Sequence, residues 1–316
     1  MSNDILLVGA SGMAVDYVKV LRALDFKFKV IGRGVSSARA FNDATGCEAI
    51  TGGLGAYLAQ KPVIPSHAIV AVGVEELHRA ALQLMAYGVK KILVEKPAGL
   101  NRQEIMSVQE QAKIHGASIY VGYNRRFYSS VLKAREIMAH DGGVTSFNFE
   151  FTEWAHQIQK IKKGRGVKEH WFLSNSTHVV DLAFYLGGNP VQISTYSSGS
   201  LEWHPAGAIY SGAGVSESGA LFSYQANWES AGRWSVEILT KNHRLIFRPL
   251  EKLQIQKRGS VTLEFVDYDE QLDLEFKPGL FLQTKNFINN VVDSMCTIDH
   301  QAAIIDKYYK IAAYNL

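Results

Sequence analysis

Two short stretches of this sequence hold residues that could move a proton at a substrate oxygen. The first is Val94-Glu95-Lys96-Pro97, which closes the apolar run Lys91-Ile92-Leu93-Val94. An aliphatic run halted by a charged pair and a proline reads as the carboxyl end of a buried parallel strand, the edge where ligands bind in open α/β sheets. Proline donates no backbone hydrogen bond, so the ladder stops there, and the Lys96-Pro97 bond is a candidate for the cis form. A lysine held at that edge can act as a general acid, because burial and neighbouring charges readily shift its pKa. A surface Lys-Pro turn would read the same way in isolation. The second stretch is Ser174-Asn175-Ser176-Thr177-His178-Val179-Val180-Asp181. Four good capping residues ahead of an apolar series predict a helix start, ending at Gly187-Gly188. On that helix His178 and Asp181 lie one turn apart, and Asn175 lies one turn earlier. A histidine beside a carboxylate suits acid–base work; a histidine packed between helix and sheet fits the pattern equally well.

The elements around the lysine are those of a nucleotide-binding unit. Ile5-Leu6-Leu7-Val8 reads as a strand, Gly9-Ala10-Ser11-Gly12-Met13-Ala14 as a turn, and Ala14, Tyr17, Val18, Leu21 and Leu24 as one face of a helix. Strand, glycine turn and helix open a dinucleotide-binding βαβ unit. Gly9 allows the tight turn, and the N–H groups near Ser11, Gly12 and Met13 can hold a pyrophosphate. The glycine pattern is imperfect, with Ser11 at the second glycine position and Ala14 at the third. Phe28-Lys29-Val30-Ile31 is the next strand, and no acidic residue follows it to bond a ribose 2′-hydroxyl. Arg33, Ser36 and Ser37 follow instead, a set that suits a 2′-phosphate, so NADP is the preferred cofactor and NAD the second choice. Ser36-Ser37 can also cap a helix over residues 38–44. Further strands at Ala68–Gly73, Lys91–Glu95 and Ile119–Tyr123, with helices at 75–87 and 102–115 between them, predict a doubly wound parallel sheet over residues 1–123.

Downstream of a helix at 129–140 the pattern changes. Residues 145–154 alternate polar and apolar, and short strand-like runs follow at 191–197, 220–228, 234–240, 244–247, 253–257 and 262–266. Strands without intervening helices predict a mostly antiparallel sheet in a second, α+β domain over 124–316. One face of so large a sheet needs cover, and self-association as a homodimer or homotetramer would supply it. Residues 160–168 carry five basic residues around two glycines, a loop able to meet a phosphorylated sugar or to stay solvated.

Composition narrows the function classes. The 316 residues suit two domains; 47% apolar and 20% charged residues are ordinary for a water-exposed globular chain. A net charge of +3 argues against nucleic acid. No run approaches about 18 apolar residues, which argues against a membrane span. Cys47 and Cys296 match no metal spacing and suit a reducing cytoplasm, and no signal peptide opens the sequence. No metal site is expected.

The Gly9 turn, Val70-Ala71-Val72-Gly73 with His78 five residues on, Glu95-Lys96-Pro97, and Tyr123-Asn124-Arg125-Arg126-Phe127 occur in an order and spacing that resemble the Gfo/Idh/MocA family, the relatives of glucose–fructose oxidoreductase and inositol dehydrogenase. The resemblance covers the first half closely and the second half more loosely. It implies an N-terminal Rossmann domain followed by a domain on a large, open, mostly antiparallel sheet. It implies NAD(P)-dependent hydride transfer at a secondary alcohol or ketone of a sugar or nucleotide sugar, with Lys96 as proton donor or acceptor. Glu95, Lys96, Pro97, Val72, Gly73 and His78 then border the cofactor, and Tyr123, Asn124 and Arg125 form a hinge beside the substrate. His178 matches the family's assisting histidine. Ser174 stands where the family often has an aspartate, so Asn175 and Asp181 are the substitutes to consider. A cyclic polyol, an imine or a C=C bond as substrate stays open on the sequence, as does a cofactor-binding regulator without turnover.

Overall fold

The structure is a computed structural model that describes residues 2–315. The chain forms two compact units, Met1–Asn124 with Leu272–Ala303, and Arg125–Gln271 with Ile304–Leu316. The first unit therefore takes in 272–303, which the sequence pattern assigns to the second domain.

The first unit alternates strands and helices: β1 (Ser2–Val8), α1 (Gly12–Ala23), β2 (Phe28–Ile31), α2 (Val35–Thr45), β3 (Ala49–Ile50), α3 (Gly53–Ala59), β4 (Pro65–Val70), α4 (Val74–Tyr87), β5 (Lys91–Glu95), α5 (Arg102–His115) and β6 (Ser118–Gly122). The strands are parallel in the order β6-β5-β4-β1-β2-β3, and the short strand Cys296–Thr297 adds antiparallel to β6. Both faces are covered, so the strand centres are aliphatic, with Leu7, Ile69, Ile92 and Val94 fully buried. Val8 lies opposite Ile31 and Val70, Val70 opposite Val94, and Val94 opposite Val121. The residues that follow, Gly32, Gly9, Ala71, Glu95 and Gly122, thus stand in one row along the carboxyl edge. The chain order turns back between β1 and β4, the switch point where such sheets bind ligands. Local signals set the helix ends. Asn101 caps α5 by accepting from the Glu104 N–H at 3.0 Å, while the Glu104 carboxylate accepts from the Leu100 N–H at 2.7 Å. Gly116 closes α5 in the left-handed region. α2 begins at Val35 with Gly34 as its cap, so Ser36 and Ser37 lie inside the first turn rather than ahead of it.

The second unit holds α6 (Ser129–His140), β7 (Ser146–Glu150), α7 (Ala155–Ile158), a π-helical turn (Phe172–Ser176), α8 (Thr177–Gly187), β8 (Pro190–Ser198), β9 (Ile209–Ser216), β10 (Leu221–Asn227), β11 (Ser235–Leu239), β12 (His243–Phe247), β13 (Leu253–Lys257) and β14 (Glu264–Phe265). They form one eight-stranded sheet, β14-β13-β12-β11-β7-β10-β9-β8, antiparallel except for the β7–β10 pair. α8 packs across it: the Phe184 ring meets Phe147, Phe149 and Phe222 at 6.3, 5.5 and 5.4 Å. Burying each such ring stabilises the unit by roughly 1.5–3 kcal/mol. Gly187 is required at the end of α8, because a methyl there would lie 2.4 Å from the Phe147 ring. Among the described residues no helix is long and apolar enough to cross a membrane, and Cys47 and Cys296 form no disulfide.

Candidate functional site

In the first unit a cavity of about 600 Å³ opens along the carboxyl edge of the sheet. Seven of its lining residues are glycines: Gly9, Gly32, Gly34, Gly52, Gly53, Gly55 and Gly73. Their missing side chains let a ligand come close to the backbone, although the N–H groups of Gly9, Gly32, Gly52 and Gly53 already donate to carbonyls. Gly9 has φ +126°, and a methyl on it would lie 2.3 Å from the Ala71 carbonyl oxygen, so no other residue fits between β1 and β4. Ser11 lines the cavity, its Oγ donating to the Ala71 carbonyl at 3.4 Å. Gly12 and Met13 supply the first N–H groups of α1, a helix with no acidic residue in its first turn. Neither residue lines the cavity, but a helix start of this kind favours an anion beside it.

Arg33 sits on the rim of the same cavity, largely exposed, with its Nη1 3.0 Å from Glu76 Oε1 on α4. Ser37 lines the cavity; Ser36 lies in a separate shallow groove with Arg39 and Asp43. Val72 and Gly73 line it, and Gly73 caps α4. His78 does not: its ring turns to Ser107 on α5, with Nε2 3.1 Å from the hydroxyl. On α4 the face toward the cavity is made by Glu75, Glu76, Arg79 and Gln83, and His78 lies off that face. The β3–α3 segment, which contributes Gly52, Gly53 and Gly55, has only a two-residue strand and a seven-residue helix. Neither is long enough to show a period.

Lys96 follows β5 on the same edge, half-buried, with a cis Lys96–Pro97 bond. Glu95 beside it is buried. Its carboxylate accepts a hydrogen bond from the fully buried Tyr17 hydroxyl at 2.7 Å, and Gln283 Nε2 donates to that hydroxyl at 3.2 Å. Burial pushes the Glu95 carboxyl up, while the Tyr17 hydrogen bond and the Lys96 charge pull it down, with a net rise. A methyl on Gly122 would meet Glu95 Cα and Oε1, each at 3.3 Å, so the next strand is held flat against this carboxylate. Gln301 Nε2 donates to the Pro97 carbonyl at 3.3 Å. Tyr123 is buried, and Asn124 Nδ2 donates to the Pro278 carbonyl at 2.8 Å.

In the second unit the π-helical turn leads directly into α8, so the helix continues backwards where four capping residues suggested a start. Such turns are frequent at functional sites. Ser174 is buried and bonds the Val167 and Trp171 carbonyls. His178 is half-buried on the first turn of α8, its ring centre 6.1 Å from that of Trp234. Asp181 is not its partner: both carboxylate oxygens are held by Arg126, at 2.8 and 2.5 Å, in a buried pair. Asn175 Nδ2 and Ser176 Oγ instead donate to Glu153 Oε1 at 2.9 and 2.8 Å, and Arg233 approaches Glu153 Oε2 at 3.2 Å. Burial raises the Glu153 carboxyl, against the lowering pull of Ser176 and Arg233. Arg125 lies over the Tyr128 and Trp234 rings, at 5.9 and 5.1 Å. Glu153, Arg233 and Trp234 were not legible as site residues, because the partners lie about 80 positions apart in the chain. The basic segment 160–168 is mostly exposed; only Val167 is buried.

No protein-family model and no curated protein sequence matches the chain. Solved structures match over nearly its whole length. The UDP-N-acetylglucosamine 3-dehydrogenase from Acidithiobacillus ferrooxidans has a TM-score of 0.73 at 16% identity, covering 98% of this chain and 97% of its own. Levoglucosan dehydrogenase in complex with NADH and L-sorbose has a TM-score of 0.75 at 16% identity, covering 98% and 96%. The WlbA dehydrogenase from Chromobacterium violaceum, in complex with NADH and UDP-GlcNAcA, has a TM-score of 0.73 at 16% identity, covering 98% and 93%. The chain therefore shares the fold of these structures, a Rossmann unit and a mostly antiparallel second unit, which is the fold the sequence resemblance implies.

Proposed function

We propose that the protein is a nicotinamide-dependent oxidoreductase acting on a secondary alcohol or ketone of a sugar or nucleotide sugar. The observation that carries this reading is the single edge shared by the glycine-lined cavity and Lys96. The chain's residues fit the cofactor: Gly9, Ser11, Gly12 and Met13 would hold the pyrophosphate, Val72 and Gly73 the ribose side, and Glu95, Lys96 and Pro97 the rim beside them. When bound, the cofactor supplies the hydride donor or acceptor. Lys96 gives a proton to the substrate oxygen during reduction or takes it during oxidation, with its position fixed by the buried Glu95 and Pro97. His178 is the second proton-handling group, and Tyr123, Asn124, Arg125 and Asn175 are substrate-side candidates. The neighbours cited above are sugar or nucleotide-sugar dehydrogenases by name, and two were solved with NADH.

NADP is the preferred cofactor on the strength of Arg33 at the cavity rim and the absence of an acid directly after β2. Glu76, paired to Arg33, is the group a 2′-phosphate would have to displace. A homodimer or homotetramer would cover the exposed face of the second sheet, where Tyr196, Ile209 and Leu221 stand 72%, 39% and 62% exposed. Cys47 and Cys296, which form no disulfide, suit a reducing cytoplasm. Fluorescence titration with NADPH and NADH, followed by reduction of a keto-sugar panel, tests the reading. Saturable binding with turnover is expected. Binding without turnover on any substrate would favour a cofactor-binding regulator, and loss of binding in Gly9→Ala locates the cofactor.

A further inference from the structure

We infer that a second cavity, within the second unit, is a subsite for the anionic group of an acidic sugar, a carboxylate or a phosphate. The inference rests on the oxidoreductase reading above and names the substrate class of that reaction. The cavity has a volume of about 490 Å³, and its walls include Arg125, Arg233, Arg248, Trp234, Glu150 and Glu251.

The arginines differ in what they already hold. Arg233 is matched to Glu153 at 3.2 Å, and Arg248 to Glu150 at 3.3 Å and Ser235 Oγ at 2.9 Å. Among the described residues Arg125 forms neither an ion pair nor a hydrogen bond. Its Nε is fully buried without a partner. Its guanidinium lies against the rings of Tyr128 and Trp234, with the Glu251 and Glu153 carboxylates attracting it from beyond hydrogen-bond distance. Glu251, the remaining carboxylate on the wall, is exposed and forms no ion pair. A guanidinium stays charged and presents five donors in a planar fork. Desolvating it without an acceptor is costly, and a bidentate carboxylate or phosphate is the group that matches the fork. A neutral sugar hydroxyl would satisfy one donor and bring no charge to the fork.

The cavity also adjoins the candidate proton-handling segment. Trp234 forms its wall and lies 6.1 Å from the His178 ring, with Arg233 stacked on the same indole at 4.5 Å. Arg233 is joined through Glu153 to Asn175 and Ser176, directly ahead of His178. An acid seated on Arg125 would thus anchor the sugar beside His178.

Isothermal titration with D-glucuronate, D-glucose 6-phosphate and D-glucose, with and without NADPH, tests the assignment. At least one acidic probe is expected to bind roughly tenfold or more tighter than glucose, the scale of one charged hydrogen-bonded contact. Preference for glucuronate identifies a carboxylate, and preference for glucose 6-phosphate a phosphate. Arg125→Met should abolish the preference, and Glu251→Gln, which removes the competing carboxylate, should strengthen it. If Arg125→Met does not fold, the exposed Arg248→Met, expected to weaken the preference, and Glu251→Gln decide. Equal affinity for all three sugars overturns the proposal, as does a preference unchanged in the folded variants. An acid preference without turnover would retain the subsite and remove the dehydrogenase reading. Turnover of neutral sugars without an acid preference would do the reverse.

Discussion

Replacing Tyr17 by Phe removes one hydroxyl from the protein's most constrained polar cluster. That hydroxyl donates to Glu95 Oε1 at 2.7 Å and accepts from Gln283 Nε2 at 3.2 Å, so it ties α1 to the end of β5 and to the helix Leu280–Ile288. Its loss deprives a buried carboxylate of a hydrogen bond, which costs about 1.5–3 kcal/mol, and leaves the Gln283 amide donor without an acceptor, a further cost of about 1 kcal/mol. The sum, roughly 2.5–4 kcal/mol, should lower the melting temperature of a unit of this size by roughly 5–16 °C. The deficit also depends on pH. Glu95 has a folded pKa above its unfolded value, so its contribution is fully present below the unfolded pKa and is lost as pH rises through the folded one. Tyr17→Phe raises the folded value further, and its deficit should therefore be larger at pH 8 than at pH 5. Thermal unfolding followed by circular dichroism at both pH values measures this. Glu95→Gln, which still accepts from Tyr17, should cost less and remove the pH dependence. A Tyr17→Phe deficit below about 0.5 kcal/mol, or one equal at both pH values, would refute the reasoning.

Arg126→Met leaves Asp181 buried and uncompensated and should destabilise the second unit by about 3–5 kcal/mol in urea unfolding; a loss under 1 kcal/mol would show that the pair is dispensable. His204 is buried between the Gly207 carbonyl and the Tyr314 hydroxyl, and burial lowers its pKa to about 4. Unfolded chains bind the extra proton first, so stability should fall by roughly 3 kcal/mol as pH drops from about 6.5 to 4, and a His204→Phe variant should lack that slope in acid titration. Arg33→Ala should weaken NADPH binding by about tenfold while leaving NADH affinity within about twofold in fluorescence titration; equal losses for both would assign Arg33 no role at a 2′-phosphate.

The sequence exposed the parallel sheet because its buried strands are mostly apolar runs and the helices α2, α4 and α5 stop at Gly46, Gly88 and Gly116. It hid β9 for an equally physical reason. Gly212 and Gly214 interrupt that strand, since the Tyr224 and Phe222 rings on β10 lie over them and a methyl at either would fall within 2.6 Å of its ring or hydroxyl. The return of 272–303 to the first unit is carried by contacts such as Gln283–Tyr17 and Asn124–Pro278, which no local pattern records. What was legible is placement on one strand end or one turn, as with Gly9 and Ser11 on the cavity and Lys96 at the end of β5. It was not legible where a side chain's partner decides its role: Asp181 belongs to Arg126, His78 to Ser107, and Asn175 to Glu153.

The proton-handling role of Lys96 is the centre of this account. It is tested most directly by NADPH consumption with the best keto-sugar of the panel, comparing the parent protein with Lys96→Ala at saturating cofactor. Removal of a general acid should lower kcat by at least about 100-fold, with NADPH affinity within a few-fold of the parent. A Lys96→Ala variant that turns over at near-parent rates would contradict it.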